Sequence, residues 1–195
     1  MRILHTIGRT EPADILPTVS WQLDQGCQLL LSALGALDAA PLPGLTIVRA
    51  EPELLRPSFI LRGLVRQHSI ELIHAHDEEA AIEALVCSDL CPIVRSLNAA
   101  ETAALIAGAS SAHGLPYDHL LVTSAALREQ LVEADLIERE HVTVIAGAPA
   151  EAMGVIVDAY ERAIVRSLTG RLIPARFVGG RPDLHRLNSR RRAAE

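Results

Sequence analysis

His74 and His76 stand two residues apart in the stretch IELIHAHD, with Asp77 directly after them. Side chains alternate along an extended strand, so both imidazoles project from one face. Two imidazoles and a carboxylate form part of a metal-ligand set, yet too small a part to define a metal centre. Neither a metal nor a cofactor is expected. His74, inside the strand, is expected to hydrogen-bond a neighbour as a structural residue. His76, at the strand tip, is the better functional candidate, because an imidazole there can bond a ligand hydroxyl or a phosphate.

Ligands of open parallel sheets bind outside the carboxyl ends of the strands. That rule selects Gly8, Arg9 and Thr10 after the first strand, and His76 and Asp77 after the fourth. It also selects Asn98 to Glu101 after the fifth, Ser124 after the sixth and Gly147 after the seventh. The first turn, GRTEPAD, is not G-x-G-x-x-G, and no G-x-x-x-x-G-K-[ST] occurs, so an ordinary dinucleotide or nucleoside triphosphate site is not expected. Ser124 has no G-x-S-x-G around it and is read as a helix N-cap rather than a nucleophile. A phosphate could approach the amides at Ser124-Ala125. His113, His119 and His141 fall on the opposite rim and are read as surface or structural residues. Cys87 and Cys91, four apart on a helix, are read as small buried apolar residues, and with Cys27 they suggest no disulfide framework.

The elements that must position these residues are short apolar runs alternating with helices. Strands are expected at Arg2–Ile7, Cys27–Ser32, Leu45–Arg49, Glu71–His76, Pro92–Leu97, His119–Thr123 and Val142–Ala146. Helices are expected over about Ala13–Gln25, Pro52–Gln67, Glu78–Leu90, Ala100–Ala109 and Ala125–Ala134. Pro17 delays the first and Gly26 stops it. A further helix over about Ala152–Leu168 turns Val155, Ile156, Ala159, Ala163, Ile164 and Val165 toward the body. Continuous apolar strands separated by helices imply a doubly wound, mainly parallel α/β sheet covered on both faces, with Ile3–Ile7 and Leu72–His74 central and adjacent.

Hydrophobic residues make up 49% of the chain but aromatic ones only 3%, so the core must be aliphatic. All 18 basic residues are arginine, which excludes every lysine-based chemistry. Residues 1–170 hold 11 Arg against 22 acids, and residues 171–195 hold 7 Arg against 2. The acidic body argues against nucleic acid as a partner. No apolar run reaches the roughly 18 residues of a membrane span, and MRILHTIGR is not a signal peptide. A soluble, cytoplasmic protein with no transmembrane segment is expected.

Three stretches in order carry a family resemblance: MRILHTIGR, LVRQHSIELIHAHD and LLVTSAALREQLVEADLIEREHVTVIAGAP. Together they resemble the N-terminal, acceptor-side domain of the family-four retaining glycosyltransferases of the GT-B fold, over about residues 1–149. The resemblance implies a Rossmann-like domain whose relatives transfer a sugar from a nucleotide donor to an acceptor in a cleft between two domains. Three departures accompany it. Gly8-Arg9-Thr10-Glu11 stands where the family has paired glycines. Asn98 stands where many relatives carry a histidine that contacts the donor sugar, and asparagine cannot move a proton at neutral pH. The donor-binding domain, with its paired glutamates, has no counterpart in residues 150–195, where EAMGVIVDAYERAIVRSL resembles the family's closing helix.

The expected organisation is therefore a glycosyltransferase-like domain at 1–149, a closing helix at 150–169 and a basic, partly disordered tail at 170–195. Two functions follow from the resemblance. One is a domain not catalytic on its own that binds a partner protein or a glycan-like ligand. The other is the acceptor-binding half of an enzyme completed by a separate chain, a partner supplying the donor-binding domain, with His76, Asn98 and Glu101 facing the donor.

Overall fold

Strands as apolar as these need cover on both faces, and helices supply it. The computed structural model describes residues 1–33, 42–49, 57–108, 115–146 and 149–172. Along the chain run β1 (Arg2–Ile7), α1 (Pro12–Asp24), β2 (Gln28–Ala33), β3 (Leu45–Arg49), α2 (Pro57–Gln67), β4 (Leu72–Ala75) and α3 (Glu78–Ala84). After them come β5 (Ile93–Leu97), α4 (Ala99–Gly108), β6 (His119–Val122), α5 (Ala125–Glu133), β7 (Val142–Val144) and α6 (Pro149–Leu172). Short 3-10 turns at Leu85–Cys87 and Arg139–His141 follow α3 and precede β7. The expected strands and helices are present with ends shifted by a few residues. Residues 50–56, where the second helix is expected to begin, lie outside the described residues.

The seven strands are parallel, in the order β3-β2-β1-β4-β5-β6-β7. β1 and β4 pair in register, Ile3 with Leu72 and His5 with His74. Chain order reverses between these two strands, so the crevice above their carboxyl ends is the switch point where doubly wound sheets take ligands.

Alternation divides the core into two. Ile3, Leu72, Val94 and Leu121 face α1 and α6, whose Ile15, Val19, Ile156 and Ala159 cover them. Leu4, Ile73, Ile93 and Leu120 face the other way, against Leu61 of α2, Ala80 and Ala84 of α3 and Leu131 of α5. The alanines of α3 are fully buried, so their small side chains let that helix lie close to the sheet.

Two local details differ from the expectation. Helix α1 starts at Pro12 and runs through Pro17. Proline at the first helical position has its φ preset, and burial of Ile15 and Val19 holds the helix despite the hydrogen bond that Pro17 forfeits. It ends as expected at Gly26, with φ +78°, where the Cys27 amide donates to Gln22 O at 3.0 Å and the Gly26 amide to Leu23 O at 2.9 Å. On α6 the buried face is Ala152, Met153, Ile156, Ala159, Tyr160 and Ala163, whereas Val165 is 60% exposed. Val165 lies two residues beyond Ala163, about 200° around the helix, and so points away from the sheet.

Candidate functional site

At the switch point the loop after β1 closes around the first residue of the loop after β4. The amides of Gly8, Arg9 and Thr10 donate to Asp77 Oδ2 at 2.8, 3.0 and 3.0 Å, and the Thr10 hydroxyl donates to the same oxygen at 2.9 Å. The other oxygen, Oδ1, caps α3 by accepting from the Ala80 amide at 2.9 Å. Burial pushes the Asp77 carboxyl up, but the amides of Ala80, Gly8 and Thr10 and the Thr10 hydroxyl outweigh it and hold the group below its ordinary value. The approach is close. A Cβ on Gly8 would lie 2.7 Å from Asp77 Oδ1 and 2.9 Å from Glu79 Cβ, so a side chain at position 8 forces a shift. Successive amides of this kind are a common anion-binding device. Here the anion they hold is the protein's own carboxylate.

Beside this loop lies a cavity of about 460 Å³ lined by Arg9, Asp77, Glu78, Glu79, Ile82, Asn98 and Glu101. Four of those residues are acidic, and the Arg9 guanidinium is already 3.3 Å from Glu79 Oε2. Asn98 and Glu101 cap α4 reciprocally: the Glu101 amide donates to Asn98 Oδ1 at 2.9 Å and the Asn98 amide to Glu101 Oε2 at 3.1 Å. Glu101 Oε1 also accepts from Nη2 of the buried Arg95 at 3.4 Å. Arg95 Nη1 donates to the Tyr117 hydroxyl at 3.2 Å, the guanidinium carbon lies 5.3 Å from that ring, and Nε has no partner among the described residues.

Beneath the crevice, on the α1 and α6 side, His5 of β1 meets His74 and His76. With Gln22 Oε1 facing it, His5 donates from Nε2 at 2.8 Å, which leaves its Nδ1 to accept from His76 Nε2 at 2.9 Å. The Gln22 amide donates to the Tyr160 hydroxyl at 3.3 Å, and the hydroxyl donates to His74 Nδ1 at 2.5 Å. His74 Nε2 then donates to Ser96 Oγ at 2.8 Å. The bonds run in one sense from half-buried His76 to Ser96, an arrangement in which each polarises the next. Burial pushes His5 down to about 4 against the Gln22 hydrogen bond. Burial also sets His74 well below its ordinary value, helped by His76 and His5. For His76, burial and then His5 outweigh the upward pull of Asp77, and this ring too sits well below its ordinary value. All three rings are neutral at pH 7.

Gly8, Arg9, Thr10, His76 and Asp77 therefore converge, and Asn98 and Glu101 line the adjoining cavity. Ser124 caps α5, accepting from the Leu127 amide at 3.3 Å, and is not among the residues lining that cavity. Gly147 lies outside the described residues, as does His113. His74 has the structural partners expected of it. His119 is buried, with Nε2 2.7 Å from Thr143 Oγ1. Sequence reasoning missed His5, Gln22, Ser96, Tyr160 and Arg95. The motif N-A-A-E at 98–101 is a visible cap signature that could have assigned Asn98 and Glu101 to structure.

No protein-family model and no curated protein matches the sequence. Among solved structures, a glycosyltransferase from Rickettsia africae ESF-5 is similar, with a TM-score of 0.53 and 8% identity over 74% of this chain and 42% of that one. The lipopolysaccharide outer core galactosyltransferase WaaB, in its apo form, is similar with a TM-score of 0.52 and 12% identity, over 75% of this chain and 46% of that one. The chain thus has a Rossmann-like α/β fold shared with glycosyltransferases, and it spans less than half the length of these two neighbours. No helix among the described residues is long and apolar enough to cross a membrane.

Proposed function

We propose that this chain is a glycosyltransferase-like domain that binds a partner protein or a glycan-like ligand at the carboxyl ends of β1, β4 and β5, without transferring sugar on its own. The observation that carries this reading is Asp77. Its carboxylate fills the amide loop at the switch point, where an anionic group of a ligand would otherwise sit. The adjoining cavity, with Asp77, Glu78, Glu79 and Glu101, repels a diphosphate and suits neutral hydroxyls. Asn98 adds an amide that hydrogen-bonds but moves no proton.

The test is a panel of sugar nucleotides and neutral oligosaccharides offered to the purified chain. Binding of oligosaccharides, weakened by Asn98→Ala, with no turnover of any sugar nucleotide, is the expected result. Hydrolysis or transfer by the chain alone overturns it.

A second reading is the acceptor-binding half of a glycosyltransferase completed by a donor-binding chain. The observation favouring it is the fold the chain shares with the two glycosyltransferases. It predicts sugar transfer only when a donor-binding chain is added, with Asp77 or Asn98 substitutions lowering the rate of the assembled pair.

A further inference from the structure

We propose that His5, His74 and His76 form a binding site for a divalent transition cation that favours imidazole nitrogen, zinc above all. This stands apart from any sugar chemistry. One nitrogen from each of the three rings lies within 4.8 Å of the others, and His5 Nδ1 is 2.9 Å from His76 Nε2. Nitrogens bound tetrahedrally to zinc at about 2.0–2.1 Å are about 3.3 Å apart, so small ring rotations separate the hydrogen-bonded arrangement from a coordinating one.

The surroundings are those of a ligand set. Gln22 Oε1 accepts from His5 Nε2, which orients the ring and leaves the Nδ1 lone pair directed at His76. Metal-binding histidines are usually held in this way by an acceptor on the nitrogen remote from the metal. Tyr160 Oη and Ser96 Oγ hold the two nitrogens of His74, and one of those contacts is exchanged for the cation. His76 transfers its ring proton from Nε2 to Nδ1 to coordinate, so no net proton is released. Among the described residues no thiolate joins the set, and imidazole alone suits zinc, cobalt, nickel or copper(II) rather than a softer ion. His76 is half-buried at the end of β4, which gives the cation a way in. His5 and His74 come from the paired central strands β1 and β4, and His76 follows β4 directly.

The experiment uses the full chain without a histidine tag, stripped by a chelator. It is titrated with Zn²⁺ by calorimetry and with Co²⁺ by visible absorption. Expected are one strong site per chain, intense tetrahedral Co²⁺ bands, and a melting temperature that rises with Zn²⁺. His76→Ala and His5→Gln should each weaken binding at least tenfold. His141→Ala is the control, since Glu138, Glu140 and His141 form a second, more exposed cluster. Circular dichroism checks that each variant folds. If a histidine variant does not fold, ¹⁵N imidazole spectra of the unsubstituted chain decide, because Zn²⁺ should shift His5 and His76 and leave His141 in place. Absence of a strong site, or loss of binding only in His141→Ala, overturns the proposal.

Discussion

Asp77 Oδ2 sits 2.8 Å from the amide of Gly8, 69 residues away in the chain, and so joins the two loops that flank the switch point. The same carboxylate caps α3, which means one side chain closes the crevice and starts the helix behind it.

Asp77→Ala should therefore lower stability by about 2–4 kcal/mol, from a lost N-cap of about 1 kcal/mol and from loop amides left without an acceptor. It should also free those amides for an external anion. Urea denaturation with and without inorganic phosphate checks both effects: phosphate should stabilise the variant and leave the parent chain unchanged.

Gly8→Ala tests the same approach from the other side. The added methyl meets Asp77 Oδ1 at 2.7 Å and Glu79 Cβ at 2.9 Å, so the loop must move. A loss of about 1–3 kcal/mol is expected, as for overpacking elsewhere. An unchanged denaturation midpoint would show that the loop gives way freely.

Glu101→Gln keeps the reciprocal cap of α4 but removes the charge opposite Arg95, which is 2% exposed. A hydrogen bond to a charged group contributes about 1.5–3 kcal/mol, so a loss of that size is expected. Adding Arg95→Met to the Glu101→Gln variant should restore most of it, because replacing a buried charge by an apolar group of similar volume is often neutral or better. A double-mutant cycle by chemical denaturation measures the coupling.

The buried histidines make stability depend on pH. In the unfolded chain each titrates near its ordinary 6.5, whereas in the fold burial sets His5 at about 4 and His119 at about 3. Between those values the unfolded state binds the protons and the native state does not. Stability should thus be complete above about pH 6.5 and fall as pH drops toward 4, by about 1.4 kcal/mol per pH unit for each such histidine. Denaturation at stepped pH should give a shallower slope for His119→Gln than for the parent chain.

Strand positions were legible because a run such as RILHTI or ELIHA has no polar face to offer solvent. Helix ends were legible where a local interaction sets them, as at Gly26 and Ser124. The break after Ala84, where the expected helix to Leu90 tightens into a 3-10 turn, had no such marker. The topology rule placed His76 and Asp77 at the crevice from sequence order alone. What they do there depended on partners distant in the chain. The adjacency of β1 and β4 was expected from their apolar runs and is observed, but the bond from the Gly8–Thr10 amides to Asp77 depends on how closely the two loops approach, which neither stretch shows. His74 and His76 showed a shared face by their spacing. Pairing of β1 with β4 set His5 beside them, and only the packing of α1 and α6 on that face added Gln22 and Tyr160, since the side chains that meet between sheet and helix are chosen by the approach of whole elements rather than by local periodicity.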